Sequence, residues 1–244
     1  MKLFAKLATA LLLVVAGATS LHAQVFNHLG AGVGVGLNGI SIDVATPITR
    51  FINVHAGVDI MPGITFNADA DFTYEATQAG APTQTIDGTM ELKGDLGRVQ
   101  GHLIFNVYPF PKGAFYVAAG AYFGGNKLLK ITGHSNELAG LSNNGNVIIG
   151  DYNVPVDKDG NVDGGLKVKN FRPYLGIGWG RAVPKRFIAF GIDLGVQFEG
   201  KPEVYTNHGT ITTSITDDDN TFNKVRDALS VYPTLTFKLN FRAF

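Results

Sequence analysis

Eight segments of about ten residues alternate strictly between apolar and small or polar side chains, and this period of two most constrains the fold. Leu29, Ala31, Val33, Val35 and Leu37 alternate with four glycines, and Asn38-Gly39 then signals a tight hairpin into Ile40, Ile42 and Val44. The pattern returns at 52–60, 98–107, 115–123, 171–179, 190–198 and 235–241. Such alternation is the mark of strands with one apolar face. Here the opposite face carries glycines together with the charged residues. An eight-stranded barrel is only just wide enough inside for side chains, so glycines and polar groups belong in the lumen and bulky apolar groups outside. That arrangement suits a barrel surrounded by lipid. A soluble β-sandwich or lipocalin-like barrel would turn its larger apolar side chains inward.

The connections are asymmetric. Three are short and each holds a proline and a basic residue: Thr46–Arg50, Pro109–Gly113 and Val183–Arg186. Three are long and polar, near 61–97, 125–170 and 200–231, and are expected as loops. Short turns at one end and long loops at the other are how transmembrane barrels are built, with the long loops outside the cell. Tyr108, Phe110, Phe115, Trp179, Phe187 and Phe241 fall near the short-turn ends and are expected to form one membrane-interface girdle; Phe123, Phe171 and Tyr232 fall near the other.

The first residues point the same way. Lys2 and Lys6 precede an apolar run from Leu7 to Ala18, and then a small residue at Ala23, which describes a secretory signal peptide over 1–23. Ala16-Gly17-Ala18 is an alternative cleavage site. The run is too short to span a bilayer as a helix. The expected mature chain, 24–244, forms the barrel and carries 18 basic against 20 acidic residues, so nucleic acid is not an expected partner. Cysteine is absent, which excludes disulfides, thiolate metal sites and cysteine nucleophiles.

The segments Phe171–Gly180 and Phe190–Pro202, with the terminal Phe244, resemble the small outer-membrane β-barrel proteins of Gram-negative bacteria, in particular the ornithine-uptake-porin-type and OmpW-like group. The resemblance covers most of the mature chain and is most specific in PYLGIGWG. It implies an all-β, eight-stranded antiparallel up-and-down transmembrane barrel in the outer membrane. Its partners would be outer-membrane lipid and lipopolysaccharide, with periplasmic chaperones and the barrel-assembly machinery, and it would act as a monomer. Phe244 would serve as the terminal assembly signal. Its parity is opposite to the outward series Leu235, Phe237, Leu239 and Phe241, so either a bulge near Arg242-Ala243 or a Phe244 below the barrel rim is expected.

By parity the lumen receives Asp43, Asp59, Asp193 and Glu199 against Arg98, Arg172, Lys238 and Arg242, with His55 and His102 on the same face. Four acids against four bases suggest a paired, filled interior, because an unpaired buried charge is costly. The leading expectation is therefore a non-enzymatic barrel with an occluded polar lumen that presents its loops outside, with no cofactor and no metal read from the sequence. The competing reading is a narrow channel for small, perhaps cationic, solutes, with Asp59 and Glu199 as the first residues to suspect. A lipid-modifying enzyme would need His55 or His102 with a carboxylate, or His134-Ser135 in a loop, and no spacing requires such a convergence. Asp157–Gly164 has the oxygen ligands of a calcium loop but lacks the EF-hand glycine and glutamate, and reads as a turn. Asp217–Asp219 reads as a solvated acidic loop leading into a short helix at 221–229.

Overall fold

The structure is a computed structural model that describes residues 28–76, 84–139, 145–149, 152–207, 212–213 and 230–243. The signal segment, the acidic run and helix expected over 217–229, and Phe244 all lie outside these residues. No helix occurs among the described residues.

Eight strands close a barrel: β1 (Gly30–Gly36), β2 (Gly39–Pro47), β3 (Ile52–Met61), β6 (Arg98–Val107), β7 (Phe115–Phe123), β12 (Phe171–Trp179), β13 (Ile188–Phe198) and β16 (Val231–Arg242). Each pairs antiparallel with the next in this series, and β16 pairs with β1, which leaves no free edge. These are the eight alternating segments of the sequence. Gly39 closes the β1–β2 turn at φ 90°, where a side chain would be strained. β16 keeps its register with β1 through Arg242 without a bulge, and Ala243 then donates its amide to Leu29.

The remaining chain corrects the expectation of three long loops. The segments near 61–97, 125–170 and 200–231 supply β4 (Thr65–Ala76), β5 (Gln84–Asp95), β8 (Lys127–His134), β9 (Gly145–Ile149), β10 (Tyr152–Val154), β11 (Asn161–Lys167), β14 (Glu203–Thr206) and β15 (Thr212–Thr213). They form a second antiparallel sheet in the order β14-β11-β8-β5-β4-β9-β10-β15. Eight strands about 4.8 Å apart would span ~34 Å if flat. The edge strands β14 and β15 are joined by a link that reaches at most ~20 Å from Thr206 to Thr212. The sheet therefore has to curl toward closure at the end of the barrel that also carries the Asn38-Gly39 turn.

The two sheets have opposite polarity. In the barrel, Val33, Val35, Leu175, Ile177, Trp179, Phe190 and Leu194 are exposed while Asp43, Asp59, Gln100, Arg172 and Glu199 are buried. Phe72, Tyr74, Met90, Val147 and Val162 of the second sheet form a buried apolar cluster with Leu138 of the turn after β8. Its outer face carries polar cross-strand pairs: Asn67 donates to Glu91 at 2.6 Å, Thr73 to Asp87 at 2.8 Å and Thr89 to Asp71 at 3.0 Å. One sheet is built inside-out and the other is built as in water.

Candidate functional site

The barrel interior is a stack of side-chain layers. Nearest the second sheet, Arg98 donates to Glu199 at 3.2 Å. Arg172, fully buried, donates to Gln100 at 2.9 Å, Gly124 carbonyl at 2.7 Å, Lys169 carbonyl at 2.9 Å and Gln197 at 3.4 Å. Gln197 in turn donates to Asn38 at 3.1 Å. Fixed this way, the Arg172 guanidinium joins β6, β12 and β13, and Gln197 extends the network to the β1–β2 turn. Arg98 also lies 4.8 Å from the Tyr232 ring, whose hydroxyl donates to the Leu37 carbonyl, so Tyr232 turns inward and is not part of an outer girdle.

The middle layer holds Asp43, His55, Asp59, His102, Asp193 and Lys238. His102 Nε2 lies 2.5 Å from Asp43 and its Nδ1 lies 3.3 Å from Asp59. Lys238 reaches Asp43 at 3.3 Å and Asp193 at 2.9 Å, and the Tyr116 hydroxyl donates to Asp193. The contact between Asp43 and His102 depends on a glycine. Gly57 pairs with both, on β2 and β6 respectively, so the two side chains meet across a strand position with no side chain of its own. A Cβ at Gly57 would overlap the Ile42 carbonyl and Asp43 and stand 2.9 Å from the His102 ring. Gly57→Val is therefore expected to lower stability by about 1–3 kcal/mol, the usual cost of overpacking. Urea unfolding of the refolded barrel measures this, and a midpoint equal to that of the parent would show that the layer is loose.

Ile104, Tyr108, Tyr116, Ala118, Tyr122 and Tyr174 make a buried apolar wall beside these charges. Gly178 and Gly195 leave the space that the Tyr116 and Tyr174 rings occupy. Tyr108 is a correction: only 1% exposed, it faces the lumen, packs tilted against Tyr116 with ring centroids 5.2 Å apart and accepts from the Ala182 amide at 3.3 Å. Arg181 covers its ring at 5.0 Å and donates to the carbonyls of Pro111 and Gly113, closing the short-turn end. The parity of β6 already pointed Tyr108 inward; its position at the end of the strand suggested otherwise. Phe110, Trp179 and Phe187 are exposed on the outside, and Phe115 and Phe241 are half-buried. Arg242 belongs to the short-turn rim, where it donates to the Lys185 carbonyl and contacts His28, and so is not a member of the lumen's charge layers.

The expected balance of acids and bases is thus not local. The upper layer sets two arginines against one glutamate, and the middle layer sets three aspartates against one lysine and two histidines. Sequence reasoning selected the charged residues and missed the groups that bind them: Asn38, Gln100, Tyr116 and Gln197. All four are polar residues in or beside the inward-facing series, which is the signal that could have found them. Two cavities of about 10 Å³ each remain in the middle of the lumen, both bordered by His55 and Lys238. Each has room for about one water molecule.

The other sequence candidates are accounted for locally. His134 is the last residue of β8, not a loop residue, and its ring nitrogens contact Asn161 at 2.9 Å and Asn136 at 3.0 Å, while the Ser135 hydroxyl accepts from the Glu137 amide. The Asp157 carboxylate accepts from the amides of Asp159 and Asn161, closing a turn with Gly160 at φ 78° before β11 begins.

Fold and interior together define a closed eight-stranded antiparallel barrel with a polar, side-chain-filled core, the architecture that the sequence resemblance implies. No family model matches the sequence, and no curated protein matches it. Among solved structures, the fold is similar to that of Acinetobacter baumannii CarO2, at 17% identity over 89% of this chain and 99% of that one, with a TM-score of 0.48. Acinetobacter baumannii CarO is similar at 18% identity over 87% and 96%, with a TM-score of 0.43.

Proposed function

We propose that this chain is a non-enzymatic integral β-barrel protein of a Gram-negative outer membrane, with an occluded polar lumen and a β-sheet cap standing outside the cell. The observation that carries this reading is the reversal of polarity between the two sheets. A band of exposed Val, Leu, Ile, Phe and Trp encircles the barrel wall, and soluble monomers rarely expose apolar patches beyond a few hundred Å². The second sheet buries its main apolar cluster and leaves Phe66, at the start of β4, as its exposed large apolar side chain among the described residues, a pattern that suits a body in water. Lipid tolerates only closed barrels among β-structures, and the barrel is the closed one of the two sheets. Phe110, Trp179 and Phe187 then sit at the periplasmic interface, and Phe123 and Phe171 at the outer one. Outer-membrane lipid and lipopolysaccharide contact the wall, and the cap is the surface offered to other partners.

The occluded reading rests on the Arg172–Gln197–Asn38 network above, the Arg181–Tyr108 cover below and cavities of water size between. The non-enzymatic reading rests on the carboxylates around His102: both its ring nitrogens face them, and neither faces a nucleophile. The mature chain, refolded in detergent and added to a planar bilayer, is expected to give no resolved conductance steps. Reproducible cation-selective steps that change on Asp59→Ala or Glu199→Ala would replace this reading with the narrow channel.

A further inference from the structure

The middle layer of the lumen holds an electrostatic deficit that its own residues do not settle. Asp43, Asp59 and Asp193 face a single lysine, Lys238, so with neutral imidazoles the layer carries two net negative charges. A proton on His102, held between Asp43 and Asp59, removes one of them. A second proton would have to sit on one of the aspartates or on His55. The His55 side chain is buried at 4% exposure, and neither ring nitrogen has a hydrogen-bond partner. Protonating it would create a further buried N–H donor with nothing to receive it, which is costly. Yet His55 stands beside the acceptors: its ring is 5.6 Å from that of His102, and one ligand atom each from Asp43, His55 and His102 lies within 4.8 Å of the other two.

We propose that Asp43, His55 and His102 form a binding site for one divalent transition-metal ion of the zinc type inside the barrel. Two imidazole nitrogens and one carboxylate oxygen are a ligand set that Zn²⁺ takes readily. Ligand atoms around a tetrahedral zinc stand about 3.3 Å apart, so small side-chain rotations within the layer complete the site. The ion balances the two negative charges at once and uses the His55 nitrogen that no protein group engages. The arrangement also supplies the outer contacts that orient metal ligands: Asp59 lies against Nδ1 of His102, and Lys238 holds Asp43 through Oδ2, so the ion would enter between Asp43 Oδ1 and His102 Nε2 and replace the 2.5 Å contact between them. Gly57 keeps the space between the ligands clear. The fourth position is open to a water molecule in the adjoining cavity, which His55, His102 and Asp59 all border. The ion would tie the side chains of the adjacent strands β2, β3 and β6 together on their lumen face. The site would act as a structural staple, and it is independent of whether the lumen conducts.

The chain, without a polyhistidine tag, is refolded in detergent with ZnSO₄ present, desalted through chelating resin and assayed for metal by mass spectrometry. The expected result is about one zinc per chain, with apparent affinity reduced about tenfold or more by His55→Gln combined with His102→Gln. That variant keeps the other histidines, so equal zinc retention by variant and parent would mean surface binding and would overturn the site. Cobalt loading of the unaltered chain decides the matter even if the variant does not fold. Intense visible bands of a tetrahedral nitrogen–oxygen site are expected, and the weak spectrum of octahedral cobalt, or no stoichiometric cobalt, would leave His55 with a water and sink the proposal.

Discussion

Lys238→Met is expected to lower the stability of the refolded barrel by about 3–5 kcal/mol, the scale on which breaking a buried ion pair leaves its partners uncompensated. Lys238 extends from β16 between Gly34 of β1 and Gly191 of β13, two neighbours without side chains, and among the described residues its ammonium alone bridges Asp43 and Asp193. Methionine has similar length and fills the same space, so the loss is electrostatic and not a cavity. Asp193→Asn is expected to cost less, because the lysine keeps Asp43 and the amide can still accept from Tyr116. Combining the two substitutions should recover part of the loss of Lys238→Met, because one of the orphaned carboxylates is gone. Urea titrations in the presence of a chelator, which removes any divalent ion that could substitute for the lysine, measure all three. A loss below about 1 kcal/mol for Lys238→Met, the range of exposed pairs, would mean that water reaches the middle layer.

The barrel was legible in the sequence because each of its strands holds one parity over its length and most break at a proline, a glycine or the Asn-Gly turn. The inward face was legible for the same reason, down to Asp43, Asp59, Asp193 and both histidines. Which charges meet was not. Asp43 and His102 are 59 residues apart and join only because β2, β3 and β6 bring them into one row with Gly57 between, and that row follows from register. The second sheet was missed for a different reason. Phe66, Ala68, Ala70, Phe72 and Tyr74 alternate with Asn67, Asp69, Asp71 and Thr73 as regularly as any barrel strand. The acidic face made the stretch look like a solvated loop, whereas it is the water-facing side of β4. Tyr108 and Tyr232 were misplaced where nearness to a strand end was weighed above parity. In each case the alternation was the sounder signal, since a side chain in a strand has only two directions to point.

The reversal of polarity makes a sharper test of membrane placement than any conductance record. Leu194 sits in the middle of β13, 53% exposed, paired with Ile177 of β12 and Leu235 of β16 in the apolar band. In lipid, Leu194→Arg puts a guanidinium near the bilayer midplane and is expected to cost about 2–4 kcal/mol in refolding into vesicles. Were that face in water, the same change would be one more surface substitution, within about 0.5 kcal/mol of neutral. Asp69→Arg serves as the opposite control. Asp69 lies on the outer face of β4 beside Glu91, where the second sheet is built for water, and an arginine there is expected to stay within about 0.5 kcal/mol in the same vesicles. The difference between the two substitutions therefore reports the medium at each sheet, with the fold and the introduced residue held constant. A large loss at Leu194 and none at Asp69 locates the bilayer boundary between the barrel and the cap. Equal small effects at both would mean that the exposed band is covered by protein or water, and that the barrel is not a membrane body.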